Sequence, residues 1–63
     1  MELLRKVSAS GKTYRIMDDV PSVGYYSIEE MSMYGDCQVW KKVFGCTSDK
    51  ESVYKEFVRL IEL

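Results

Sequence analysis

Cys37 and Cys46 are the most reactive side chains in this sequence, and there is no histidine to activate them. Histidine is the usual general base near neutral pH. A thiolate nucleophile here would have to rely on Lys41 or Lys42 for its activation. Small thiols within strands are ordinarily structural, so no catalytic residue and no enzymatic activity are expected.

Metal chemistry is no better provided for. Cys37 and Cys46 stand nine residues apart without a second cysteine pair, so the usual four-ligand zinc set is missing. Asp18-Asp19 and Glu29-Glu30 offer oxygen ligands of the kind calcium takes. Their simpler reading is solvated loop acids and cross-strand partners, and neither metal nor cofactor is expected. On one extended strand the two cysteines would lie ~30 Å apart, far beyond the ~7 Å between Cα atoms that a disulfide tolerates. Two copies lying antiparallel, edge to edge, would instead bring Cys37 of one near Cys46 of the other.

The remaining chemistry is that of surfaces. Gly24 to Phe44 holds Tyr25, Tyr26, Met31, Met33, Tyr34, Trp40 and Phe44, interleaved with Ile28, Val39 and Val43. That exceeds what one face of a small sheet can hide, and apolar surface left in water usually meets a partner. The bases are grouped too. Lys6, Lys12 and Arg15 fall in the first quarter, and Trp40-Lys41-Lys42 sets an aromatic among bases, as single-strand binders do.

Overall charge argues against nucleic acid. The formal net charge is −1, whereas nucleic-acid domains are usually basic. Residues 1–16 carry four bases against Glu2, whereas residues 17–36 carry five acids and no base. Hydrophobic residues make up 46% of the 63, too many for a disordered chain. A single small domain, residues 1–63, is expected. Met1–Lys6 lacks a signal-peptide core, and no apolar run approaches a membrane span, so the expected location is cytoplasmic.

These side chains need elements to position them. Residues 2–9 and 12–19 read as a hairpin about Ser10-Gly11. A two-residue loop would set Val7 against Tyr14, Arg5 against Ile16 and Leu3 against Asp18. Lys6, Ser8, Thr13 and Arg15 would then share the polar side. Asp18 to Ser22 is a break, because Pro21 lacks a donor and restricts Val20.

Residues 25–33 and 37–45 read as a second hairpin about Gly35-Asp36. Its register sets Tyr34 against Cys37, Met33 against Gln38, Met31 against Trp40, Glu30 against Lys41 and Glu29 against Lys42. Opposite-charge rungs of this kind each contribute ~0.2–1 kcal/mol. A rival reading makes 28–34 a short helix, capped by Ser27 and Glu30 and ended by Gly35.

Ser48 to Glu51 is a capping box. Val53, Tyr54, Phe57, Leu60 and Ile61 then recur at helical spacing. The expected architecture is α+β: two β-hairpins in a four-stranded, mainly antiparallel sheet (ββββα), with one C-terminal amphipathic helix on one face. Strand order is left open.

One helix covers one face. In the second hairpin one side carries Tyr26, Ile28, Tyr34, Val39 and Val43, and the other Tyr25, Met31, Met33, Trp40 and Phe44. The first is expected beneath the helix. The second is expected to bind another protein, or a second copy of the chain as a homodimer. The expected function is therefore a non-catalytic protein-binding module acting by stoichiometric binding. Chains this short are often adaptors, or inhibitors carried by phages and mobile elements. The alternative is nucleic-acid binding through Lys6, Lys12, Arg15, Trp40, Lys41 and Lys42. Neither a membrane nor a small-molecule substrate is indicated.

Overall fold

The computed structural model describes residues 1–20 and 24–63. Four strands, β1 (Glu2–Val7), β2 (Thr13–Val20), β3 (Tyr25–Tyr34) and β4 (Cys37–Thr47), precede one helix, α1 (Lys50–Glu62). The strands form one antiparallel sheet in the order β1-β2-β3-β4. The α+β ββββα architecture is thus present, with every neighbour in space also a neighbour in sequence. Residues 28–34 belong to β3, so the helical alternative is excluded. The break assigned to Pro21 and Ser22 lies outside the described residues.

The second hairpin keeps its expected register from Tyr34↔Cys37 to Glu29↔Lys42. Gly35 has φ +62° and Asp36 has negative φ, the sign pattern of a type II′ turn that matches strand twist. Beyond Lys42 the register departs. Ile28 faces Phe44, so Val43 is an extra residue, and a further shift sets Tyr26 against Thr47. Bulges of this kind re-aim the side chains that follow.

The first hairpin is displaced by one residue from expectation. Its connection spans Ser8 to Lys12, and Val7 faces Thr13, Lys6 faces Tyr14 and Leu4 faces Ile16. Ser8 explains the longer loop. Its N–H donates to the Lys12 carbonyl, its hydroxyl accepts the Lys12 N–H, and Gly11 at φ +90° donates to the Ser8 carbonyl. One residue of slip exchanges the two faces of β1. Leu4 and Lys6, not Leu3, Arg5 and Val7, therefore share the side of Tyr14 and Ile16.

The core lies between α1 and one face of the sheet. Tyr14, Ile16, Ile28, Val53 and Phe57 are buried, flanked by Leu4, Tyr26, Phe44, Tyr54, Leu60 and Ile61. The helical stripe is the expected one, and its cap sits one residue later. Asp49 accepts from the N–H of Glu51 and Ser52 and from the Ser52 hydroxyl. A carboxylate also complements the positive end of the helix, which favours Asp49 over Ser48. At 13 residues, α1 is too short to cross a membrane, and no helix among the described residues is long and apolar enough to do so.

Candidate functional site: the helix-free face of the sheet

The register decides which side chains share the face away from α1. Arg5, Arg15, Glu29 and Lys42 form one rung across all four strands. Glu2, Met17 and Ser27 form another, and Met31 with Trp40 and Met33 with Gln38 continue the face toward the turn. Tyr25 joins them by alternation along β3.

Trp40 is the centre of this face, and the chain's own arginines cover it. The Arg15 guanidinium lies 3.9 Å from the ring centroid and that of Arg5 lies 5.1 Å from it. A cation over an indole face contributes ~0.5–1 kcal/mol at exposed sites and more when desolvated. Arg15 is held from its far side as well. Its Nε donates to Glu29 Oε1 at 2.7 Å, its Nη2 lies 2.6 Å from the same oxygen in an ion pair, and Glu2 Oε1 lies 3.5 Å from Nη1. Arg5 donates to the same Glu2 oxygen. The Arg5 guanidinium, first of all, keeps the Glu2 carboxyl below its ordinary range.

A second cluster closes the other end of the face. The buried Ser27 hydroxyl donates to Asp19 Oδ2 at 2.7 Å, and Lys42 Nζ lies 3.2 Å from the same oxygen. Cys46 Sγ stands 3.5 Å from Lys42 Nζ and 3.6 Å from Asp19 Oδ2. The Ser27 bond holds the Asp19 carboxyl below its ordinary value, with Lys42 assisting, and Asp19 in turn raises Lys42.

The expected ion pairs therefore form with other partners, although the register is as expected. Glu29 takes Arg15 rather than Lys42, and Lys42 takes Asp19. Glu30 lies 4.0 Å from Lys12 rather than pairing with Lys41. Glu30 and Lys41 sit on the helix side, where burial first and then Glu30 push the Tyr14 phenol up.

Among the five residues expected to bind protein, four share the helix-free face: Tyr25, Met31, Met33 and Trp40. Phe44 does not. The extra residue at Val43 turns it to the helix side, half-buried against the core. Met33 is 58% exposed, while Met31 and Trp40 are half-buried. The hairpin end runs past β2, which leaves Tyr34 72% exposed on the opposite side.

The six residues of the nucleic-acid alternative form no single patch. Lys6 and Lys41 lie in the helix-side rung with Tyr14 and Glu30, whereas Arg15, Trp40 and Lys42 lie on the other side. Arg15, Lys12 and Lys42 each have a carboxylate within 4.0 Å. No family model, curated protein or solved structure matches this chain.

Sequence reasoning gave Arg5, Glu2, Asp19 and Ser27 no place in this face: Asp19 entered only as a loop acid or oxygen ligand and Ser27 only as a helix cap. Only strand order reveals them, because the clusters join β1, β2 and β4 across β3. Cys37 and Cys46 are free and exposed. The described residues enclose no pocket and bring no three metal-ligating side chains together.

Proposed function

We propose that this protein is a non-catalytic binding module that engages another protein through the helix-free face of its sheet. The observation that carries the reading is one-sided coverage. α1 packs on β2, β3 and β4 from one side, no second element of described residues packs on the side of Tyr25, Met31 and Met33, and over Trp40 lie the Arg5 and Arg15 side chains. Trp, Tyr, Met and Arg are the residue types enriched at interface cores.

The rest of the face fits recognition. Arg5, Arg15, Glu2 and Glu29 lock Trp40 in place before any partner arrives, so little side-chain freedom is lost on binding. Met31 and Met33 beside it can adapt to an irregular surface. The protein acts by occupying its partner stoichiometrically, as an adaptor or inhibitor does.

The test uses charge substitutions on exposed positions. Met33→Glu and Tyr25→Glu are expected to weaken partner capture at least tenfold while the far-UV circular dichroism stays unchanged. Val58→Glu, on the outer side of α1, is expected to bind as the parent does. Equal loss from Val58→Glu, or no loss from either face variant, overturns the reading.

A further inference from the structure

We propose that the outer edge of β4 pairs antiparallel with the same edge of a second copy, with Val39 facing Val39 of that copy. This goes beyond the helix-free face: it concerns a second surface, and it names one partner and one geometry.

The backbone sets the first constraint. A two-residue turn makes Tyr34 and Cys37 a pair that exchanges both hydrogen bonds, and such pairs alternate along the ladder. Val39 and Lys41 therefore bond inward to β3. Gln38, Trp40 and Lys42 turn their N–H and C=O groups outward, and among the described residues no turn, loop or cap bonds them. These groups form a free edge of the kind that recruits another strand.

Antiparallel pairing must bring outward residues opposite outward residues. That excludes the arrangement with Cys37 of one copy facing Cys46 of the other, which would set Lys42 against Lys41. It also excludes every other register displaced by one residue. The two-fold axis then falls on a single residue between Gln38 and Lys42.

Charge narrows the choice. An axis at Lys41 or Lys42 sets each lysine against itself, and like charges directly opposite are destabilising. An axis at Trp40 leaves the two Lys41 side chains on a diagonal. It also requires Trp40 at the edge, whereas its ring lies inward beneath Arg15 and Arg5. An axis at Gln38 takes Lys42 out of the ladder. An axis at Val39 sets Val39 on Val39, Gln38 on Trp40, Cys37 on Lys41, and Asp36 on Lys42.

Symmetry repeats each unlike pair twice. Val39, 37% exposed, is covered, and each end closes on opposite charges. The extra residue at Val43 ends the regular edge, so the ladder stops near Lys42. So short a contact falls below the ~1,200 Å² of ordinary stable interfaces. The dimer is therefore weak and concentration-dependent.

Light scattering across a concentration series is expected to give a mass that rises from monomer toward dimer. Gln38→Pro removes an outward N–H and leaves the β3 ladder intact, as proline on an edge permits. It is expected to stay folded and monomeric throughout. With Cys37→Ser and Cys46→Ser in place, Val39→Cys is expected to oxidise to a covalent dimer, because facing residues at non-hydrogen-bonded positions lie ~4.5 Å apart at Cα. Lys41→Cys in that background is expected to remain monomeric.

A parent protein monomeric at every concentration overturns the dimer and leaves binding to a foreign protein standing. A dimer that survives Gln38→Pro overturns the edge. Unfolding of Gln38→Pro overturns the outward assignment, and faster oxidation of Lys41→Cys than of Val39→Cys overturns the register.

Discussion

Arg15 stands 3.9 Å above the Trp40 ring while its other side donates from Nε to Glu29 and pairs with that carboxylate through Nη2. The two residues come from β2 and β4, so this contact bridges the strand between them. Both Arg15 and Glu29 keep less than a fifth of their side-chain surface in water, 18% and 16%. The face away from the helix is therefore a fixed surface, organised around one indole.

Arg15→Ala leaves Glu29 without its partner and exposes one side of Trp40. A loss of ~1–3 kcal/mol is expected, the penalty of an unsatisfied, partly buried group. In a double-mutant cycle with Trp40→Leu, the coupling energy expected is ~0.5–1 kcal/mol. Urea unfolding of the four proteins measures it, and strict additivity would mean the stacked geometry contributes nothing.

Phe57 is among the largest side chains of the five buried apolar residues found among those described. Phe57→Ala is expected to cost ~3–5 kcal/mol. A core this small supplies little more than that in total. Loss of the cooperative thermal transition at 25 °C is the expected outcome, read by circular dichroism.

The position of the helix cap separates two neighbouring residues. Asp49→Ala is expected to cost ~0.5–2 kcal/mol, because the Glu51 and Ser52 N–H groups lose their acceptor. Ser48→Ala is expected to change stability by no more than a surface substitution does, within ~0.5 kcal/mol. The urea midpoints of the two variants decide between the caps.

Stability should fall on the acid side in part through Asp19. Its carboxyl is held below the ordinary value in the folded protein, chiefly by the Ser27 hydroxyl. Protons therefore favour the unfolded chain: the stabilisation is complete above the ordinary carboxylate pKa and is lost as pH falls through the depressed one. Lys42, raised by Asp19, works in the opposite sense and loses its contribution only as pH climbs past the lysine range. Asp19→Asn is expected to be less stable at pH 7 and to lose less between pH 6 and pH 3. Glu2, Asp49 and Glu56 are also held low, so part of the acid decline remains.

The sequence carried the architecture, the second register and the helical stripe because each rests on a local signal. Gly35-Asp36 admits a tight turn, and a tight turn dictates every rung back to Lys42. The first hairpin had no comparable constraint. Ser10-Gly11 suits a two-residue loop, but the Ser8 hydroxyl folds back on Lys12 and lengthens it. Phe44 was misplaced because a bulge at Val43 leaves no mark in residue type. The ion pairs depended on strand order, since Glu29 could reach Arg15 only once β2 lay beside β3.

The most direct test of the helix-free face as the contact surface is site-specific photo-crosslinking. A photoreactive residue replaces Met33 on that face, or Val58 on the outside of α1, one at a time in the full chain. Adducts of one defined mass from position 33, and none from position 58, are the predicted result. Equal adduct formation from both positions, or adducts from position 58 alone, would contradict the account.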